Sequence, residues 1–109
     1  MDKLDRYRNI VRAVIDYYSS YYRPLHKEIE HFKIIDPEND HYQLIRDGWW
    51  NHRRYYGPVL HFQIKEGKVW VLHDGTEQGI VDELIERGVD KNDIVFGFHA
   101  PSLRHLVEA

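Results

Sequence analysis

A tight hairpin over residues 53–73 constrains the fold of this chain most. Two runs rich in strand-forming residues, Arg53–Lys65 and Lys68–His73, are separated only by Glu66-Gly67. A two-residue loop determines which residues of the flanking strands face each other. The resulting register predicts two cross-strand pairs whose four side chains share one face of a sheet: Ile64 with Val69 and Phe62 with Val71.

Two further strands are predicted before this hairpin. Residues Glu28–Ile35 alternate in polarity, and residues His41–Trp49 follow them after a cluster of turn formers at Asp36–Asp40. Asn51-His52 then suits a turn into the third strand. Pro58, inside that strand, predicts an edge, a bulge or a break, because proline has no N–H to donate to a neighbouring strand.

Helices are predicted on both sides of the strands. From Lys3 to Tyr22 the apolar residues recur at three- and four-residue spacing, which is typical of an amphipathic helix. The residues Asp74-Gly75-Thr76-Glu77 predict a turn into a second helix, with Thr76 or Asp74 as its cap and Gly88 as its stop. Ile94–Phe98 predicts a short fifth strand.

This order of elements predicts the α+β class. We expect a four- to five-stranded antiparallel sheet packed by the N-terminal helix and by a second, shorter helix. The length of 109 residues suits a single domain spanning residues 1–109.

Charge and composition exclude several classes of protein. Lys and Arg total 15 against 18 Asp and Glu, a net charge of −3, which argues against binding driven mainly by phosphate neutralisation. The chain has no cysteine, so disulfides, thiolate metal sites and cysteine nucleophiles are excluded. No apolar run resembles a signal peptide or a membrane span, so we expect a cytoplasmic protein that does not associate with membranes.

The stretch DGWWNHRRYYG, residues 47–57, is the densest group of aromatic and basic residues. Its candidate interaction surface comprises Trp49, Trp50, Arg53, Arg54 and Tyr56. Rings beside guanidinium groups bind single-stranded nucleic acid, and they are equally favoured in protein interfaces. Strand alternation sends Arg54 and Tyr56 to one face and Arg53 to the other, so at most half of the group serves a single surface.

A second, weaker candidate is a polar site comprising His61, His73, Asp74, Glu77 and His99. A histidine at a strand end near a helix N-terminus is where an enzyme could place an acid–base group. The hairpin register puts His61 opposite Leu72, however, which predicts that His61 and His73 point to different faces. Nucleophile-elbow, phosphate-loop and metal-ligand spacings are absent, so we predict no catalytic residue, no metal ligand and no cofactor.

An ordered series of short motifs runs through most of the chain. They are Tyr42-Gln43-Leu44, Gly48-Trp49, Arg53-Arg54, Tyr56-Gly57, His61, Ile64-Lys65, Gly67-Lys68-Val69-Trp70, Asp74-Gly75-Thr76-Glu77, Gly79-Ile80, Asp82-Glu83-Leu84, Gly88-Val89, Lys91, Asp93-Ile94-Val95, Gly97-Phe98-His99 and Pro101. Together they resemble the XisI-like family, the fdxN-element excision controlling factors found mainly in cyanobacteria.

This resemblance implies an accessory role in programmed DNA excision. A site-specific recombinase, XisF, excises the element, and XisI acts with a second controlling protein, XisH, whose relatives resemble nucleases. The family carries no established catalytic residues. The expected partners are therefore an XisH-like protein, a recombinase complex and a second copy of the chain. Two alternatives stay open: direct nucleic-acid binding through the arginine-aromatic hairpin, and a small enzyme that uses histidine and aspartate.

Overall fold

The computed structural model describes residues 2–21, 28–76 and 78–100. One five-stranded sheet, in the order β1-β2-β3-β4-β5, is packed by two helices, which confirms the predicted α+β class. In chain order the elements are α1 (Lys3–Tyr21), β1 (Ile29–Asp36), β2 (His41–Trp50), β3 (Arg53–Lys65), β4 (Lys68–Asp74), α2 (Val81–Glu86), a short 3₁₀ helix (Lys91–Asp93) and β5 (Ile94–Phe96).

The core lies between α1 and one face of the sheet, which we call the inner face. The buried stripe of α1 includes Tyr7, Val11 and Val14, at the three- and four-residue spacing seen in the sequence. It packs on strand residues such as Leu44 and Phe62, both fully buried. The opposite, outer face of the sheet carries the alternate strand residues. No helix in the described part of the chain has the length and apolar character needed to cross a membrane.

The two predicted tight turns are confirmed. Asn51 and His52 have φ angles of 51° and 65°, and Glu66 and Gly67 have φ angles of 56° and 73°. Two successive left-handed residues are typical of the type I′ turn, whose twist matches that of the flanking strands. The first turn connects β2 to β3, and the second connects β3 to β4.

Two bulges interrupt the pairing of β3 with its neighbours. Leu44 pairs with Leu60, but the next residue, Ile45, pairs with Pro58, which confirms an irregularity at the proline. The pairs Ile64–Val69 and Phe62–Val71 are also as predicted. A second bulge lies between His61 and Phe62, so His61 pairs with His73 and not with Leu72. The prediction that His61 and His73 point to different faces is therefore wrong, because directly paired residues share a face.

The predicted cap of the second helix is also wrong. The helix begins at Val81, with Ile80 at its N-cap and no side-chain cap. The Asp74 carboxylate instead accepts hydrogen bonds from the backbone N–H groups of Thr76, at 3.0 Å, and Ile80, at 2.9 Å, and so organises the loop before the helix. Gly79 adopts a φ of 81° in that loop rather than lying within the first helical turn.

The end of α2 was predicted correctly, whereas the end and direction of β5 were not. Gly88, with a φ of 114°, follows the end of α2 as expected. Strand β5 ends at Phe96 and pairs parallel to β4, whereas a purely antiparallel sheet was predicted. The chain crosses over through α2 between these two strands, and a helical crossover brings the next strand back in parallel. The predicted helix end at Tyr22 and the residue Glu77 lie outside the described residues.

Candidate functional site

The candidate interaction surface lies at the turn end of the β2–β3 hairpin, on both sides of Asn51-His52. Trp49 pairs with Arg54, Asp47 pairs with Tyr56, and Trp50 pairs with Arg53. Cross-strand partners share a face, so the sequence prediction that alternation divides this group is confirmed. We call Asp47, Trp49, Arg54 and Tyr56 the outer tip face. Trp50 and Arg53 point to the inner side of the sheet.

Arg54 is held in place by three neighbours on the outer tip face. Its guanidinium carbon lies 5.6 Å from the centre of the Trp49 ring and 5.0 Å from that of Tyr56. Its Nη1 lies 2.6 Å from Oδ1 of Asp47. The rings themselves are open to solvent, with Trp49 58% and Tyr56 66% exposed. The result is an exposed aromatic surface around an ordered cation whose charge a carboxylate offsets.

The inner side of the tip has a different character. The guanidinium carbons of Arg46 and Arg53 each lie 5.8 Å from the centre of the Tyr55 ring, so two cations flank one aromatic ring. Trp50, on the same side, is 40% exposed. This side is the more basic of the two faces, and a contact with phosphate groups would therefore be expected there rather than on the outer tip face.

Three histidines, one on each of the neighbouring strands β2, β3 and β4, lie on the outer face with His61 between the other two. The bulge in β3–β4 places His61 opposite His73, and Nε2 of His61 lies 2.9 Å from Nδ1 of His41. One nitrogen of the His41–His61 contact must donate and the other must accept, so at least one of these rings is neutral. Burial, together with the nearby His41 and His73, lowers the pKa of His61.

His41 was not among the residues selected from the sequence. Its contact with His61 depends on the bulge at Pro58, which changes the residues that face each other across β2 and β3. Pro58 was the signal in the sequence that pointed to a bulge, and so to the contact between His41 and His61. Predicting that contact also requires the position of the extra residue in the bulge, which the proline alone does not determine.

The other members of the predicted polar site do not join this cluster. Both carboxylate oxygens of Asp74 accept hydrogen bonds within the loop before α2. His99 packs edge-on against Phe96 and Phe98, with ring centres 5.2 Å and 4.7 Å apart. Glu77 lies outside the described residues. Within residues 2–21, 28–76 and 78–100, no group of three or more histidine or acidic side chains is arranged to hold a metal ion.

The histidine cluster predicts how stability depends on pH. The pKa of His61 is lowered in the folded state, so the unfolded chain takes up its proton first as the pH falls. We expect the free energy of unfolding to decrease below about pH 6.5, the ordinary pKa of histidine. Urea denaturation between about pH 7.5 and pH 5.5 measures this slope.

Replacing His61 by glutamine is expected to reduce that slope. Some slope should persist, because burial and the nearby Arg46 also lower the pKa of His31. An unchanged slope in His61→Gln would contradict the assignment to His61.

A depression between α1 and α2 is acidic. It has a volume of about 350 Å³ and is lined by Tyr18, Gln78, Gly79, Asp82, Glu83 and Glu86. Three carboxylates in one depression repel phosphate groups. This part of the surface therefore does not suit nucleic acid.

Comparisons with known proteins agree over almost the whole chain. A family model described as XisI protein matches residues 1–109. A crystal structure of a XisI-like protein from Anabaena variabilis is 35% identical, with a TM-score of 0.87 over 94% of each chain. A crystal structure of fdxN element excision controlling factor XisI from the same organism is 36% identical, with a TM-score of 0.82 over 96% of this chain and 95% of the other. No curated protein sequence gives a significant match.

Proposed function

This chain belongs to the XisI family, and on that premise we propose that it is a non-enzymatic accessory factor that controls site-specific DNA excision. It acts through contact with an XisH-like protein, and through that protein on the recombinase complex. The similarity to an excision controlling factor at 36% identity, over nearly the full length of both chains, supports this role. The role requires a binding surface, and the outer tip face offers one.

The ordered Arg54 on the outer tip face is the observation that carries the proposal. Tryptophan, tyrosine and arginine are the residues that contribute most to binding energy at protein interfaces. Arg54 already stacks on Trp49 and Tyr56 and pairs with Asp47 before any partner binds. Side chains ordered in advance lose less conformational entropy on association, which favours affinity.

The distribution of charge supports a protein partner over DNA. The chain carries a net charge of −3, and Asp47 offsets the charge of Arg54. Binding driven by phosphate contacts requires an excess of positive charge at the contact surface. The inner side of the tip, with Arg46 and Arg53 around Tyr55, would suit nucleic acid better than the outer tip face does.

Co-purification with the XisH-like protein tests the proposal. The two proteins are co-expressed with a tag on one of them, and we expect both to elute together in a stoichiometric complex. Failure to form a complex at concentrations of about 10 µM would contradict the proposed role.

The DNA alternative is measured in the same preparation. Binding of the isolated chain to single- or double-stranded DNA should be absent if the partner is a protein. Affinity that falls steeply with salt and is lost in Arg53→Ala would instead assign the hairpin to nucleic acid.

A further inference from the structure

Strand β1 forms one edge of the sheet. Its eight residues pair with β2 in one unbroken register, from Ile29 opposite Gly48 to Asp36 opposite His41. No other strand of the described chain lies on its far side. The backbone N–H and C=O groups on that side are therefore available to another strand.

Two of the features that usually protect an edge strand, a proline and a bulge, are missing from β1. The strand has no proline and no bulge. Its single lysine, Lys33, lies on the inner face, where Nζ is 2.7 Å from Oδ1 of Asp16 in α1. Phe32 and Ile34 point to the outer face and are 38% and 44% exposed. A regular edge strand with exposed apolar residues favours pairing with another chain.

The sequence of β1 complements itself in one antiparallel register. In this register, β1 of one copy pairs with β1 of a second copy, and the twofold axis that relates them passes between the two Phe32 residues. The Phe32 side chains of the two copies therefore lie directly opposite each other. The neighbouring pairs are then Ile29 with Ile35, Glu30 with Ile34 and His31 with Lys33. None of these pairs places like charges opposite each other, since burial and Arg46 lower the pKa of His31 and favour its neutral form. The one like-charged pair of this register, Glu28 with Asp36, lies at the end of the strand, because Glu28 precedes β1.

The two adjacent registers are less favourable. A shift of two residues in one direction still places Asp36 opposite a glutamate, now Glu30, and also places Lys33 opposite itself, which adds like-charge repulsion at the centre of the contact. The opposite shift places Phe32 opposite Glu30, and thus loses the apolar contact. Shifts of one residue are excluded, because they would pair inner-face residues with outer-face residues.

We propose that two copies of this chain pair through antiparallel β1 strands, in the register that places Phe32 opposite its own symmetry mate. The two sheets then form one continuous sheet, and Phe32 and Ile34 of both copies form an apolar stripe across its centre. The contact uses the free edge of β1 and none of the outer tip face residues, so the inference does not depend on the proposed function.

Cysteine cross-linking tests the register. The chain has no cysteine, so Phe32→Cys introduces a single thiol. Residues directly opposite in an antiparallel pair bring their Cβ atoms within disulfide reach. Mild oxidation is expected to give a disulfide-linked dimer, while Ile85→Cys is the control. Ile85 is 39% exposed, much as Phe32 is, but lies on α2 and should stay monomeric.

Replacing Phe32 by a charged residue of either sign gives an independent test, in which light scattering measures whether each variant is a monomer or a dimer. Phe32→Lys and Phe32→Glu should each be monomeric, because like charges meet at the twofold axis. An equimolar mixture should recover a dimer, because opposite charges then meet. A wild-type chain that is monomeric up to about 100 µM would overturn the proposal. A mixture that stays monomeric while the wild type is dimeric would overturn the register.

Discussion

Gly48→Ala is expected to lower the free energy of unfolding by about 3 kcal/mol or more, the upper range for overpacked interiors. A Cβ atom at this position would collide with the carbonyl oxygen of Glu28 and would lie 2.6 Å from Cα of Ile29. Both obstacles are backbone atoms at the start of the adjacent strand β1, so no side-chain rotation relieves the clash. The β1–β2 pairing at this end of the sheet would have to open.

Urea denaturation of the wild type and of two glycine variants measures this effect. Gly67→Ala is the matched control, because a Cβ there meets nothing within 4 Å but the φ of 73° is unfavourable for alanine. That variant should lose only about 1 kcal/mol. Equal losses at the two positions would show that the close approach at Gly48 is not the cause.

Asp40→Ala is expected to lower the free energy of unfolding by about 3 kcal/mol, because the change removes two stabilising features. The carboxylate accepts hydrogen bonds from Nε and Nη2 of Arg8, at 2.9 Å and 3.0 Å, and from the hydroxyl of Tyr42, at 2.9 Å. Tyr42 is 1% exposed, and the alanine variant would leave its hydroxyl without this acceptor. Asp40 also has a φ of 57°, which disfavours alanine.

Asp40→Asn separates these contributions. Asparagine tolerates a positive φ, and its amide oxygen can still accept from Tyr42. We expect a clearly smaller loss than in the alanine variant, mostly from the weakened contact with Arg8. The comparison uses denaturant midpoints at neutral pH. Equal destabilisation by alanine and asparagine would contradict the importance of the Tyr42 contact and of the backbone angle.

The strands and turns were predictable because their signals are local. The two-residue loops at Asn51-His52 and Glu66-Gly67 determine the register next to them, and the pairs closest to the second loop were predicted correctly. The division of the arginine-aromatic group between two faces follows from strand alternation alone. Pro58 likewise indicated an irregularity, since a missing N–H is a property of the residue itself.

The histidine cluster was not predictable, because it depends on contacts between distant residues. The bulge that brings His73 opposite His61 lies where the chain leaves β4, and there the Gly75 N–H donates to the carbonyl of Val59 at 2.8 Å. No two-residue loop constrains this end of the hairpin.

The start of α2 shows the same limit. Asp74 and Thr76 are good capping residues, and so they predicted a helix beginning close to them. In the structure the Asp74 carboxylate reaches across the loop to Ile80, six residues later, and Gly79 allows the chain to turn there. Residue type indicated that Asp74 would bind backbone N–H groups, but not which ones.

The affinity of the XisH-like protein for two arginine variants tests the central claim most directly. Arg54→Ala removes the ordered cation of the outer tip face, and we expect it to weaken binding about 30-fold, the loss of one strong interface residue. Arg53→Ala, one residue away on the inner side, should change the affinity less than about threefold. Calorimetric titration at fixed salt measures both. Equal losses in the two variants, or no loss in Arg54→Ala, would contradict the assignment of the outer tip face as the partner-binding surface.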